Sequence, residues 1–302
     1  MAFDTPILLL VFNRPESTRI VFEKIRLIQP RYLFIASDGP RVDNSDDFIN
    51  VTTVREICTK IDWDCELKTL FRDDNLGCKN AVSSSITWFF ENVDCGIVLE
   101  DDTVPSISFF YYCAEMLARY YDDETIGHIA GFSLLNEDEP TDYYFSRLVP
   151  IWGWASWKRA WNIYDIDMSR FDIKKDSIYK VFGKHAENVK KVFADHLRDN
   201  VDTWDTQWAF SCVENEFTTI VPFESMIQNI GFVSTATHTT SANNLIESIQ
   251  ANDLTFPIKH PQQGLKYNNY RFDEKYLDLL YSSQYSKRAK LKQFFSRIFA
   301  FR

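Results

Sequence analysis

Continuous apolar runs alternate with amphipathic ones along the first hundred residues. Residues 7–12 read ILLLVF without a polar position, the pattern of a strand covered on both faces. Pro15 then opens a helix in which Val21, Phe22 and Ile25 recur at helical spacing, with Ile28 following. A second strand, RYLFIAS over 31–37, stops at the turn Asp38-Gly39-Pro40. A helix around 46–60 leads to a third strand, LKTLFR over 67–72, and Gly77 opens a helix through Val82, Ile86, Phe89 and Phe90. The fourth strand, CGIVL over 95–99, feeds straight into Glu100-Asp101-Asp102. This β-α-β-α rhythm predicts an α/β fold, a doubly wound, mixed and mostly parallel sheet flanked by helices. Ligands on such sheets sit at the carboxyl ends of the strands. Asn13, Asp38, Asn75 and the acidic triplet are therefore expected on one rim.

The second half is less regular. It holds the tryptophan cluster IWGWASWKRAW (151–161), a helical stretch near 187–199, and TWDTQWAFSCVENE (203–216). A strand-like TTIVPF (218–223) precedes a loop, NIGFVSTATHT (229–239). Neither an internal repeat nor a low-complexity linker interrupts the chain, so one compact unit is expected. Residues 287–302 differ in kind: Lys287, Arg288, Lys290, Lys292, Arg297 and Arg302 occur there with no acid. Leu291, Phe294, Phe295, Ile298 and Phe299 share one face of a helix. Such a basic amphipathic tail either lies in an anionic membrane interface or docks on the body.

Composition narrows the function. The chain of 302 residues carries 43 Asp and Glu against 33 Lys and Arg, a net charge of -10. That balance repels phosphate backbones and argues against general nucleic-acid binding. No G-x-G-x-x-G and no G-x-x-x-x-G-K-[ST] occurs, which excludes the dinucleotide fingerprint and the P-loop. None of the six cysteines forms a C-x-x-C pair, so buried reduced thiols are expected rather than a metal or disulfide framework. The start, MAFDTPILLLVFNRPES, has no basic n-region and only a short apolar run, and reads as neither a signal peptide nor a membrane span. A cytoplasmic setting is expected.

Glu100-Asp101-Asp102 is the most informative feature. Carboxylates crowded at the end of a buried strand repel one another, and a divalent cation bridging to substrate phosphates would offset that repulsion. The alternative is that Asp102 or Thr103 caps a helix beginning near Pro105.

The run CGIVLEDDTVPSISFFYYCAEML resembles the glycosyltransferases of the GT-A fold. It is especially similar to N-acetylglucosaminyltransferase I and its bacterial surface-polysaccharide relatives, whose "DXD" site is written Glu-Asp-Asp. LLLVFNRPEST (8–18), ASDGPR (36–41), NLGCKNAV (75–82), WGWASWKRAW (152–161), TWDTQW (203–208) and NIG…ATHT (229–239) follow in the family's order. The resemblance implies a Rossmann-like GT-A domain over 1–240, with a nucleotide-binding half (1–130) and an acceptor-side half (131–240). A C-terminal extension (241–286) and the basic tail (287–302) lie outside it.

Carried over residue by residue, the resemblance implies Asp102 as the direct metal ligand. Asp101 would face the donor ribose or a metal-bound water, and Glu100 would contact the donor sugar or its ribose. Asn13 and Arg14 would line the nucleotide site, where Arg14 can meet a diphosphate bidentately. Asp38, with Asn75 on the same rim, would hold the uracil ring. Asp205, flanked by Trp204 and Trp208, matches the base that deprotonates the acceptor hydroxyl in an inverting enzyme, with Asp202 or Thr203 as the helix cap before it. His238 matches a second metal ligand, which favours Mn²⁺ over Mg²⁺. Trp152, Trp154 and Trp204 are candidates for stacking on a sugar, with core packing as the default.

The implied activity is metal-dependent transfer of a sugar from a nucleotide-sugar donor, with UDP as the nucleotide, to a glycan or lipid-linked acceptor. The setting would be bacterial surface-polysaccharide synthesis (capsule or O-antigen), at the inner face of the cell membrane. Two other readings are a sugar-phosphate nucleotidyltransferase and a non-catalytic, membrane-peripheral glycan-binding or assembly protein. The first normally needs a glycine-rich loop after the first strand, where this chain has VFNRPES.

Overall fold

The computed structural model describes residues 3–135, 137, 139–172, 177–231, 248–262 and 270–281. The apolar runs of the first half become β1 (Ile7–Val11), β2 (Tyr32–Ser37), β3 (Glu66–Phe71) and β4 (Cys95–Glu100). They pair in parallel in the order β3-β2-β1-β4, with Leu10 in register with Glu100 and Val11 with Ser37. Between them run α1 (Pro15–Ile28), α2 (Ser45–Thr59) and α3 (Gly77–Asn92). In α1 the spacing seen in the sequence buries Val21, Phe22, Ile25 and Ile28 against the sheet. Burying an aliphatic or aromatic side chain of this size contributes about 1.5–3 kcal/mol.

After β4 come β5 (Thr103–Pro105), α4 (Ile107–Arg119), β6 (Ile126–Ala130), β7 (Tyr143–Ser146), β8 (Trp154–Trp157) and the short α5 (Lys158–Trp161). A kinked 3₁₀ segment (Ser177–His185) leads into α6 (Ala186–Asp199), α7 (Asp205–Glu214), β9 (Thr218–Pro222) and β10 (Ile227–Asn229). The eight-stranded sheet continues β4-β8-β6-β9-β7, and only β8 and β7 run against the rest. It is thus mixed and mostly parallel, as the sequence implied. β10 pairs antiparallel with β5 in a separate ribbon. The start of the segment read as a loop, Asn229, is therefore strand, because β5 offers it a partner.

α8 (Tyr270–Tyr281) lies within the predicted extension, yet Phe272, Leu277 and Leu280 are buried in the common core. Its Asp273 is pinned by the Arg147 amide at 2.9 Å and by the Ser146 hydroxyl. The six cysteines are free thiols, each buried or half-buried. Among the described residues no helix is long and apolar enough to cross a membrane. Residues 287–302 lie outside the described residues.

Candidate functional site

Because β1, β2 and β4 are parallel, their exits meet on one edge, and the side chains there interlock across long sequence separations. The backbone turns sharply after β4: the Glu100 amide donates to Thr103 Oγ1 at 2.9 Å, and that hydroxyl donates back to the Glu100 carbonyl at 3.0 Å. This turn directs all three acids inward, and Glu100, Asp101 and Asp102 are 2%, 1% and 7% exposed. The capping alternative is ruled out, since α4 begins only at Ile107, with Ser106 as its N-cap.

Two groups from the β1 exit meet the triplet. The Phe12 amide donates to Asp101 Oδ2 at 3.2 Å. Arg14 Nη1 donates to Asp102 Oδ2 at 2.7 Å and reaches Asp101 Oδ1 at 3.5 Å. Burial works against the Arg14 charge, but Asp101 and Asp102 outweigh it and raise its pKa. One guanidinium does not satisfy three carboxyls. Desolvation pushes Asp101 up to about 7 despite Arg14. It also raises Asp102, and it lifts Glu100 well above the carboxylate range, helped by Asp102 and then Asp205. Glu100 Oε1 is buried with no hydrogen-bond partner among the described residues.

The β2 exit is built around Asp38. Its carboxylate accepts from the Leu76 amide at 3.0 Å, the Gly77 amide at 3.2 Å and Asn75 Nδ2 at 3.0 Å. Asn75 also donates to the Gly39 carbonyl at 2.8 Å. Gly77 sits at φ 78, a left-handed conformation that glycine adopts without strain, and this aims the start of α3 at Asp38. Burial raises the Asp38 pKa against those backbone donors. Asp38 and Asn75 are thus brought together, and their first partners are protein groups.

Sequence reasoning missed three neighbours. Asn13 Nδ2 donates to Asp47 Oδ1 at 2.7 Å, and Arg41 Nε donates to Asp47 Oδ2 at 2.6 Å. The Arg41 hydrogen bond holds Asp47 down at about 2. Asp202 is not the cap of α7. It accepts from the Cys78 and Lys79 amides at 3.0 and 2.8 Å, so it caps α3. No local pattern announces these pairings.

Asp205 opens α7 as its first residue, with Trp204 rather than Asp202 or Thr203 as N-cap. It is 2% exposed. Thr203 Oγ1 donates to its Oδ1 at 2.7 Å, the Thr206 amide at 2.5 Å and Thr206 Oγ1 at 3.3 Å. These donors favour the ionised form, but desolvation dominates and raises the pKa well above the usual range. All of them fall on Oδ1, leaving Oδ2 to take a proton. Asp205 is near enough for its charge to raise the Glu100 pKa. The acid of the late helix is thus within electrostatic reach of Glu100.

The tryptophans lie elsewhere. Trp152, Trp154 and Trp204 are 6%, 0% and 1% exposed. Trp154 stacks between Trp204 and Trp208, with ring centroids 5.9 and 5.8 Å apart, and against His128 at 5.2 Å. Trp152 packs edge-on to Phe132 at 4.6 Å. Trp154 and Trp204 are enclosed by other rings and take the core-packing alternative, while Trp152 lines an apolar cavity with Phe132.

Hard carboxylate oxygens suit Mn²⁺ or Mg²⁺, yet the residues as arranged do not form a ready cation site. Among the described residues no group of three His, Cys, Asp or Glu side chains converges to hold an ion. Asp102 Oδ2 is already taken by Arg14, and a Cβ built on Gly231 would stand 2.3 Å from that same oxygen. His238 lies outside the described residues.

No family model matches the chain, and no curated protein matches it in sequence. Among solved structures it is similar to the crystal structure of 4-diphosphocytidyl-2C-methyl-D-erythritol synthase from Anaerococcus prevotii DSM 20548, at 8% identity and a TM-score of 0.36. The match covers 91% of this chain and 97% of that one.

Proposed function

We propose that the chain is an inverting glycosyltransferase that moves a sugar from a nucleotide-sugar donor, with UDP as the nucleotide, to a hydroxyl of a glycan or lipid-linked acceptor. The observation that carries this reading is that Asp205 is buried like the strand-exit acids and lies within electrostatic reach of Glu100. Sugar transfer with inversion requires one carboxylate that takes the acceptor's proton. It also requires positive charge where the nucleoside diphosphate departs. Asp205 Oδ2 is the proton acceptor in this reading; burial raises its proton affinity, while Thr203 and Thr206 keep the ionised form accessible. Arg14 is the cation nearest the leaving group. Glu100, with Oε1 unpartnered, accepts a hydroxyl of the donor sugar or ribose. Asp38 and Asn75 receive the base. A divalent ion on Asp102, expected from the resemblance, belongs to this reading only once Arg14 has moved. A lipid-linked acceptor would place the enzyme at a membrane surface, with the basic tail 287–302 as its contact.

A sugar-phosphate nucleotidyltransferase is the second reading. The 4-diphosphocytidyl-2C-methyl-D-erythritol synthase likeness lies on its side, but a TM-score of 0.36 carries no argument. Against it, β1 exits into Phe12-Asn13-Arg14-Pro15 with no glycine-rich loop. Product analysis separates the two. Incubation with a panel of nucleotide sugars and Mn²⁺ is expected to release nucleoside diphosphate, and Asp205→Asn to stop it. Pyrophosphate release from a nucleoside triphosphate and a sugar phosphate would establish the second reading instead.

A further inference from the structure

The β4 rim contains a cation of its own. Arg14 reaches it from the N-cap position of α1, whose first helical residue is Pro15. Its guanidinium makes a charge-assisted contact of 2.7 Å to Asp102 Oδ2 and lies 3.5 Å from Asp101 Oδ1. A guanidinium cannot leave its charge behind by losing a proton, so it can yield its place only by moving. Its side chain is 30% exposed, whereas those of Asp101 and Asp102 are 2% and 10% exposed. The arginine therefore has solvent to swing into and the carboxylates do not. A divalent ion would need to stand about 2.0–2.6 Å from the same oxygen. Two cations that close together in a buried site repel strongly. Asp102 Oδ2 occupies the place where a side chain at residue 231 would begin, since a Cβ on Gly231 would lie 2.3 Å from it. A second observation shows that the site is short of positive charge. Buried Glu100 has an oxygen without a hydrogen-bond partner among the described residues, and Asp102 is its strongest charged neighbour.

We propose that Arg14 is a resident counter-cation that excludes divalent ions from Asp102, so that an ion settles there only when a diphosphate draws the guanidinium away. The triplet then has two arrangements, one closed by Arg14 and one open to an ion. A phosphate-bearing ligand shifts the balance by binding Arg14 only in the open arrangement. Ion and diphosphate consequently bind with positive coupling, and the rim does not collect free divalent ions. The diphosphate half of this inference rests on the nucleotide-sugar reading. The exclusion of the ion by Arg14 does not.

The experiment measures two affinities on the full chain: Mn²⁺ alone, by the electron paramagnetic resonance signal of the free ion, and UDP alone in the presence of a chelator. Arg14→Gln is expected to tighten Mn²⁺ by roughly 10- to 100-fold, the worth of one charge-assisted hydrogen bond. It is expected to weaken UDP by about as much. Arg14→Lys keeps the charge and should hold Mn²⁺ near the wild-type affinity. The double variant Arg14→Gln, Asp102→Asn should lose the gain. Should Arg14→Gln fold poorly under the unrelieved acids, its melting temperature with and without Mn²⁺ gives the same information, with a larger rise than wild type expected. Equal or weaker Mn²⁺ binding in Arg14→Gln, or no binding by either protein, overturns the exclusion. Equal UDP binding by wild type and variant overturns the role of the diphosphate. If the wild type ignores UDP, the nucleotide-sugar reading fails, while the Mn²⁺ comparison still decides whether Arg14 guards Asp102.

Discussion

The acidic rim after β4 and the aromatic cluster around Trp154 bury their polar groups equally deeply, and they treat burial in opposite ways. In the cluster, Trp208 Nε1 donates to His128 Nδ1 at 3.2 Å, and His128 Nε2 meets the Pro150 carbonyl at 2.7 Å. Burial lowers the His128 pKa to about 4, so the ring is neutral and satisfied. Apart from Trp154 Nε1, which has no partner among the described residues, the cluster resolves the polar groups named here internally. At the rim, Asp101 and Asp102 share Arg14 as their close cation, and desolvation raises both of them as well as Glu100 and Asp205. The first arrangement is stable as it stands. The second leaves buried acids without matching positive charge. The comparison teaches that equally deep burial leaves polar groups satisfied or unsatisfied according to what the fold brings against them.

Substitutions can break or sharpen that contrast. The largest stability loss is expected in the cluster: Trp208→Ala empties space beside His128, Trp154 and Trp161. It should cost about 3–5 kcal/mol, read by urea unfolding. A loss below 1 kcal/mol would show that the cluster is not the structural region. At the rim the effect should fall on turnover instead. Asp205→Asn is expected to slow transfer by roughly 10²- to 10⁴-fold while the melting temperature changes little. Full turnover would remove Asp205 from the chemistry. Asp202→Ala, at the edge of the rim, removes the cap of α3 and should cost about 1 kcal/mol, measured by thermal unfolding.

The smallest and most diagnostic effect concerns pH. Glu100, Asp101 and Asp205 have folded pKa values above their unfolded ones, with Asp101 moving from 3.8 to about 7. Within that window the folded chain holds more protons than the unfolded one, so these groups stabilise at low pH and their contribution is lost as pH rises. Asp47 acts in the opposite sense. Held at about 2, it stabilises above its unfolded pKa and loses that contribution as pH falls through its folded value. Glu100→Gln mimics the protonated carboxyl. The variant is therefore expected to match or exceed wild-type stability above the ordinary carboxylate range and to flatten the decline as pH rises. A steeper decline in Glu100→Gln would mean that Glu100 is charged and paired after all.

Legibility followed locality. β1, β2 and β4 are readable because strands covered on both faces need continuous apolar runs, and α1 because Pro15 and the spacing of its apolar residues mark it. β6 (IGHIA) and β8 (WASW) carry no such signature. They are strands because β8 runs between β4 and β6 and pairs with both. The same division holds at the site. The triplet could be placed on a rim with Asp38 because parallel strands end together. Asp202 could not be assigned to α3 across 124 residues of separation, nor Arg14 to Asp102 across 88. For Trp154 and Trp204, core packing was the default reading, and the rings that enclose them come from segments about 50 residues apart.

By itself, the sequence determined where strands end and which of those ends carry acid, because hydrophobic periodicity and strand termination are local properties of the chain. Only the tertiary structure decided what each acid faces. An electrostatic environment is set by whichever groups the fold brings within a few ångströms, and here those groups come from distant segments: an arginine before α1, a glycine after β10 and the first residue of α7.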